Sequence, residues 1–245
     1  MNRAISQAVA PVCLMIAAAG CARAPLSPAA LKPTAYGAAI VESSGGKQLA
    51  AAGMTLAQPV VVQVNDDQGN GVASALVEFS GPAGVTFDPW AVLTDSSGQA
   101  TTNVKLGEQG GRYRISARTL KKDQKNVDVT LEETALDYQQ VLGRQLNQQY
   151  CSRCHDPEST PERVSNHDNL EVKPHEFSDG EALNQLSDAD LQAIIGRGGP
   201  ALNKSPLMPP YAYTLSKSEI QALISYIRMV SDPPYHAAGT VYAQK

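Results

Sequence analysis

The chain changes its hydrophobic rhythm once, near residue 134. Between Pro59 and Leu131, apolar side chains alternate with polar ones in short runs separated by turn residues, as on strands with one buried and one wet face. Val60 to Val64 runs into Asp66-Asp67-Gln68-Gly69-Asn70-Gly71, and Ala75 to Phe79 follows, so the two read as a hairpin. Val85 to Phe87, Trp90 to Leu93 and Ala100 to Leu106 are further strands, with Asp95-Ser96-Ser97-Gly98 as the turn before the last. Tyr113, Ile115 and Ala117 alternate with Arg112, Arg114 and Arg118, and Val127, Val129 and Leu131 repeat the period. About seven strands result, which predicts an antiparallel β-sandwich over residues 40–134 with Trp90 in its core.

After Glu133 the period becomes helical, with Tyr138, Val141, Leu142, Leu146 and Tyr150 recurring at three- and four-residue steps. Two later helices carry the same start signal, a capping box bracketed by an apolar pair: Leu186-Ser187-Asp188-Ala189-Asp190-Leu191 and Leu215-Ser216-Lys217-Ser218-Glu219-Ile220. Ile220, Leu223, Ile224 and Ile227 line one face of the last helix, and Pro233-Pro234 stops it. The fold class is therefore multi-domain: an all-β sandwich, then an all-α domain over 135–232 and a tail over 233–245.

Composition adds the ends and the charge. The 245 residues are 42% hydrophobic and 18% charged, as in soluble globular chains, with a formal net charge of −4 that argues against a nucleic-acid partner. Residues 137–245 carry nine basic and thirteen acidic side chains, which favours a basic partner face. Met1 to Gly20 has the form of an export signal, with Arg3 ahead of the apolar stretch Val9 to Ala19. Ala18-Ala19-Gly20-Cys21 resembles a bacterial lipobox, although Ala18 stands where that family usually has Leu. The resemblance implies cleavage before Cys21, lipidation of its thiol and a membrane anchor; simple cleavage with Cys21 left free is the alternative. Ala22 follows in a position where resemblance to lipoprotein sorting patterns favours the outer membrane of a Gram-negative host. Residues 21–39, with Pro25, Pro28 and Pro33, read as a tether.

The chemistry lies at Cys151-Ser152-Arg153-Cys154-His155. A Cys-x-x-Cys-His run is the attachment signature of one covalent haem c: two thiols form thioethers, and His155 becomes the proximal iron ligand. A structural zinc site would need two more ligands, and the remaining cysteines, Cys13 and Cys21, sit in the leader and at the lipidation site. A thioredoxin-like site would want a βαβ setting, whereas a helical stretch precedes this motif. Met208, in a Gly- and Pro-punctuated loop before the last helix, is the candidate for the second axial position; the alternative is core packing. His167 and His175 compete for that role, Met229 reads as packing, and His236 as a tail residue. Arg197, Tyr211 and Tyr213 are candidates for propionate contacts. Pro157 or Pro161 would set the carbonyl that orients the His155 ring.

The Cys151 to His155 motif, Gly143 eight residues ahead of Cys151, and Met208 before the last helix together resemble single-haem class I c-type cytochromes over residues 137–232. That resemblance implies that Met208 lies opposite His155, that Gly143 allows a close crossing with the last helix, and that the domain carries single electrons between redox proteins of the cell envelope. It implies no enzyme activity of its own, or a role as the cytochrome subunit of a larger oxidoreductase. Asn147 stands where that family usually has an aromatic residue. The β-half resembles the immunoglobulin-like domains of invasin-type surface proteins through Val62-x-Val64, Asp66-x-x-Gly69-x-x-Val72 and Thr94-Asp95-x-x-Gly98-x-Ala100, which implies a spacer or docking role. Two other functions stay open: a haem enzyme or gas or peroxide sensor with a labile distal ligand, and a surface interaction protein working through the β-domain.

Overall fold

The computed structural model describes residues 31–156 and 165–237. The leader, Cys21, Pro157, Pro161 and the end of the tail lie outside the described residues. Nine strands form two sheets among these residues: β1 (Ala39–Ser44), β3 (Val60–Asn65), β7 (Gln99–Lys105) and β5 (Thr86–Asp88) in one, and β2 (Leu49–Ala51), β9 (Asn126–Leu136), β8 (Gly111–Leu120), β4 (Leu76–Ser80) and β6 (Ala91–Leu93) in the other. Alternation on each strand delivers side chains to one shared core. Val60, Val62 and Val64 of β3 and Val104 of β7 meet Val77 and Phe79 of β4, Ile115 and Ala117 of β8 and Leu131 of β9. The four valines and Val77 are fully buried, each contributing about 1.5–3 kcal/mol of transfer free energy.

Three readings of this half change. The chain from β3 to β4 is not a hairpin: β3 pairs with β1 and β7, while β4 pairs with β6 and β8 in the other sheet. What reads as a hairpin turn is a crossing loop. Asp66 Oδ1 accepts from the amides of Gln68 (2.9 Å) and Asn70 (2.8 Å), which holds its carboxyl below the usual range and turns the chain toward Gly71. Thr94 then fastens the crossing, donating to Val72 O (2.6 Å) and accepting from Ala75 N (2.9 Å). Trp90, expected in the core, is 49% exposed, because it joins the short edge strands β5 and β6. β1 and β2, which the pattern did not announce, are edge strands.

The crossing loop, the Asp95 to Gly98 turn and the β8–β9 turn lie at one end of this body, where Thr34 N also bonds Ser74 O (3.1 Å). β9 runs from that end to the other and passes into the helices. Its last residue, Leu136, is 1% exposed and packs into the helical core, while Ala135 before it packs into the β-core.

Helix α1 (Tyr138–Leu146) starts on a capping box between Asp137 and Gln140. The chain continues through a π-helical turn (Asn147–Cys151) into α2 (Ser152–His155). Two short elements follow, a 3-10 turn (His167–Asn169) and α3 (Gly180–Leu183), before α4 (Asp188–Arg197) and α5 (Lys217–Val230). Both expected capping boxes are formed, Ser187 with Asp190 and Ser216 with Glu219. Gly143 is the crossing point of α1 and α5: a Cβ there would lie 2.1 Å from Ala222 O and 2.7 Å from Tyr226 Cβ. Only a hydrogen fits in that space.

The two halves are joined by specific bonds. Arg112 of β8 donates to Met229 O (3.0 Å) and Ser231 O (2.6 Å), taking up carbonyls at the end of α5 that the helix itself leaves without donors. Its other nitrogen pairs with Glu132. Arg144 of α1 donates to Leu49 O at 3.1 Å.

Candidate haem site

The end of α1 builds the site. The π-helical turn widens the coil by one residue immediately before the motif, a local irregularity often found at functional positions. It ends at Cys151 and runs directly into α2, which carries Cys154 and His155, and both cysteines are free, half-buried thiols. Burial, together with Asp156 and Cys154, pushes the Cys151 thiol up to about 12. At ordinary pH this favours the protonated thiol.

His155 is held on one side and open on the other. Its Nδ1 lies 2.7 Å from His175 O, so that nitrogen carries the proton and donates. The carbonyl that orients the ring is therefore that of His175. Phe177 packs against the imidazole at 5.1 Å between centroids and meets Tyr226 of α5 at 6.5 Å, which couples the ring to the helix crossing. Nε2 has no hydrogen-bond partner among the described residues. Burial holds the imidazole below its ordinary pKa, in the neutral form a metal requires.

The competing histidines are engaged elsewhere. His167 is buried at 8% exposure, with Nδ1 3.2 Å from Asp168 and Nε2 3.2 Å from Pro174 O. His175 gives its carbonyl to His155 and its Nδ1 to Asp179 at 2.7 Å. His236 is exposed, and Met229 packs on the helical core.

Met208 borders the same apolar cluster as Tyr150, Cys151 and Tyr211. Its loop folds back on α4: Gly199 N donates to Met208 O (3.1 Å) and Tyr211 N to Ile195 O (3.0 Å). Gly198, at φ +82, is needed for this return, since a Cβ there would meet Met208 O at 2.7 Å. The Tyr211 hydroxyl proton goes to Tyr150 O (3.0 Å), so it is spent on the backbone and is not held out for a propionate. Arg197 is exposed on the last turn of α4, and Tyr213 is 97% exposed.

Asn147 is buried with Oδ1 unpartnered, beside a cleft of about 390 Å³ lined also by Arg112, Glu132, Asp156, Phe177 and Tyr226. Leu146 and Tyr226 supply the apolar surface near the crossing. Phe177 was overlooked in the sequence, although a lone phenylalanine between polar residues in a long loop was its signal. The His175 carbonyl had none. No group of three or more His, Cys, Asp or Glu side chains forms another metal site among the described residues.

The residues fit a covalent haem: two free thiols three positions apart, an imidazole with a fixed proton and an open Nε2, and an apolar wall reaching Met208.

Residues 139–227 match the family model described as cytochrome c oxidase, cbb3-type, subunit III. The helical half thus matches a cytochrome c domain, which points to a haem protein of electron transfer. No curated protein matches the chain. Among solved structures, it is similar to the D00–D0 domain of intimin at 18% identity and a TM-score of 0.31, over 41% of this chain and 46% of that one. It is also similar to invasin, described as a bacterial integrin-binding protein, at 17% identity and a TM-score of 0.30, over 39% and 19%. The YadV chaperone shows 12% identity and a TM-score of 0.32, over 40% and 52%. The chain spans about half or less of the length of these structures. No described helix is long and apolar enough to cross a membrane.

Proposed function

We propose that this protein is a mono-haem c-type cytochrome that carries single electrons between redox proteins of the cell envelope, held at a membrane by lipid on Cys21. One observation carries the reading: within a segment that matches a cytochrome c domain, His155 of the Cys-x-x-Cys-His run has Nδ1 committed to His175 O and Nε2 without a hydrogen-bond partner among the described residues. Cys151 and Cys154 would hold the haem as thioethers, and His155 and Met208 would be the ligands of its iron. When bound, the haem supplies an iron that cycles between the ferrous and ferric states. The chain's own part is to fix the imidazole tautomer through His175 O, to offer His155 and Met208 as ligands and to cover the imidazole with Phe177. With His155 and Met208 both bound, the iron would offer no free position to oxygen or peroxide, which supports transfer rather than catalysis. The immunoglobulin-like β-half bears the domain, and the outer membrane of a Gram-negative envelope is the location that the Cys21 and Ala22 context favours.

Spectra of the purified holoprotein test this. Haem should stay with the chain under denaturing conditions and be lost in Cys151→Ser/Cys154→Ser. The oxidised protein should show the long-wavelength charge-transfer band of a thioether–iron bond, absent in Met208→Ala. Carbon monoxide binding readily to the reduced wild type would overturn the six-coordinate carrier in favour of an enzyme or sensor.

A further inference from the structure

The proposed distal ligand and the haem motif lie far apart in the chain, so something must hold them in register. Backbone hydrogen bonds do not do this. Those of the Met208 loop run to the end of α4 and the turn after it: Gly199 N to Met208 O, Tyr211 N to Ile195 O and Ala212 N to Gly196 O. Among the described residues, one side-chain hydrogen bond crosses from the loop to the motif segment, from the Tyr211 hydroxyl to Tyr150 O at 3.0 Å. The two tyrosine rings also meet edge to face, 6.1 Å between centroids at 64°. Tyr150 directly precedes Cys151, so this carbonyl is one residue from the first thioether position.

Pro209 and Pro210 fill the interval between Met208 and Tyr211. Each proline fixes its own φ and restricts the residue before it, so the four-residue stretch has few free torsions. A displacement at Tyr211 is passed on to Met208. We propose that Tyr211 is a positioning residue for the distal ligand: its hydroxyl, bonded to the Tyr150 carbonyl, sets the Met208 thioether relative to the haem motif through the stiff Pro209-Pro210 link. This rests on the reading of Met208 as ligand.

The test uses the haem-loaded full chain and three variants. Tyr211→Phe keeps the ring and the backbone bonds to α4, so haem content and helical circular dichroism should match the wild type. Added imidazole should displace the methionine at roughly tenfold lower concentration, the equivalent of one lost hydrogen bond, and the reduction potential should fall. Pro210→Gly, which keeps the hydroxyl and loosens the link, should shift both readouts the same way, and it decides the matter if Tyr211→Phe fails to fold. Wild-type imidazole affinity and potential in these variants would overturn the positioning role. Met208→Ala separates the two claims. If it retains the charge-transfer band, the ligand reading itself fails; if it loses the band while Tyr211→Phe behaves as wild type, only the positioning role fails.

Discussion

The two halves of the molecule solve the problem of burial differently. The β-half closes on itself, with apolar side chains from both sheets filling a single core. The helical half gathers its buried residues around the crossing of α1 and α5 and leaves Tyr150, Cys151, Met208 and Tyr211 half-buried at its edge, where the motif lies. A closed core is complete when the chain has folded. A core with a half-buried edge leaves the motif thiols where a haem, the group that a cytochrome c domain implies, could reach them.

The sharpest way to break this contrast is at Gly143. Gly143→Val places a side chain into Ala222 O and should cost about 3 kcal/mol or more. Hydrogen exchange read by mass spectrometry should show lost protection in α1 and α5 while β3, β7 and β8 stay protected; loss in both halves together would mean one cooperative unit.

Glu133 tests the β-half on its own terms. It is fully buried on β9, accepts from Gln48 N at 2.8 Å and leaves Oε1 unpartnered. Burial raises its pKa from 4.5 to about 7, against the opposing bond from Gln48 and with Glu42 adding to the rise. The folded state therefore binds the proton more tightly than the unfolded one. Its contribution is full below the ordinary carboxylate range, declines as pH rises toward about 7 and is level above that, a loss of up to about 3 kcal/mol. Glu133→Gln cannot ionise, so in urea unfolding the wild type should lose stability relative to the variant between about pH 5 and about pH 8.

Smaller effects probe the junction and one cap. Arg112→Ala leaves Met229 O and Ser231 O without their donor and should cost about 2 kcal/mol, seen as two separated thermal transitions in place of closely spaced ones. Ser216→Ala removes the acceptor for Glu219 N and should cost about 1 kcal/mol, confined to the helical transition in calorimetry.

Much of this contrast was legible in the sequence, and the gaps have physical causes. Periodicity marks strands whose burial alternates, so β3, β4, β7, β8 and β9 could be read directly. β1 and β2 are short edge strands whose partners β3 and β9 lie elsewhere in the chain, and local pattern does not report pairing at a distance. The Asp66 turn was visible, but turn chemistry does not say whether the next strand returns to the same sheet. Arg112 read as a wet-face residue because its acceptors, at the end of α5, are supplied by tertiary packing. Cys151 to His155 was plain because thioether attachment and ligation use neighbouring residues. The His175 carbonyl was not, since every residue has a backbone acceptor and none advertises its use.

The strand count of the β-half has one more consequence. The chain ahead of β1 joins at the end that holds the Asp66 and Asp95 turns, and β9 leaves at the other, toward α1. Eleven residues of extended chain in β9 measure roughly 35 Å. The β-half is thus a ruler. The length of β9 sets how far the start of α1 stands from the end where Thr34 bonds Ser74.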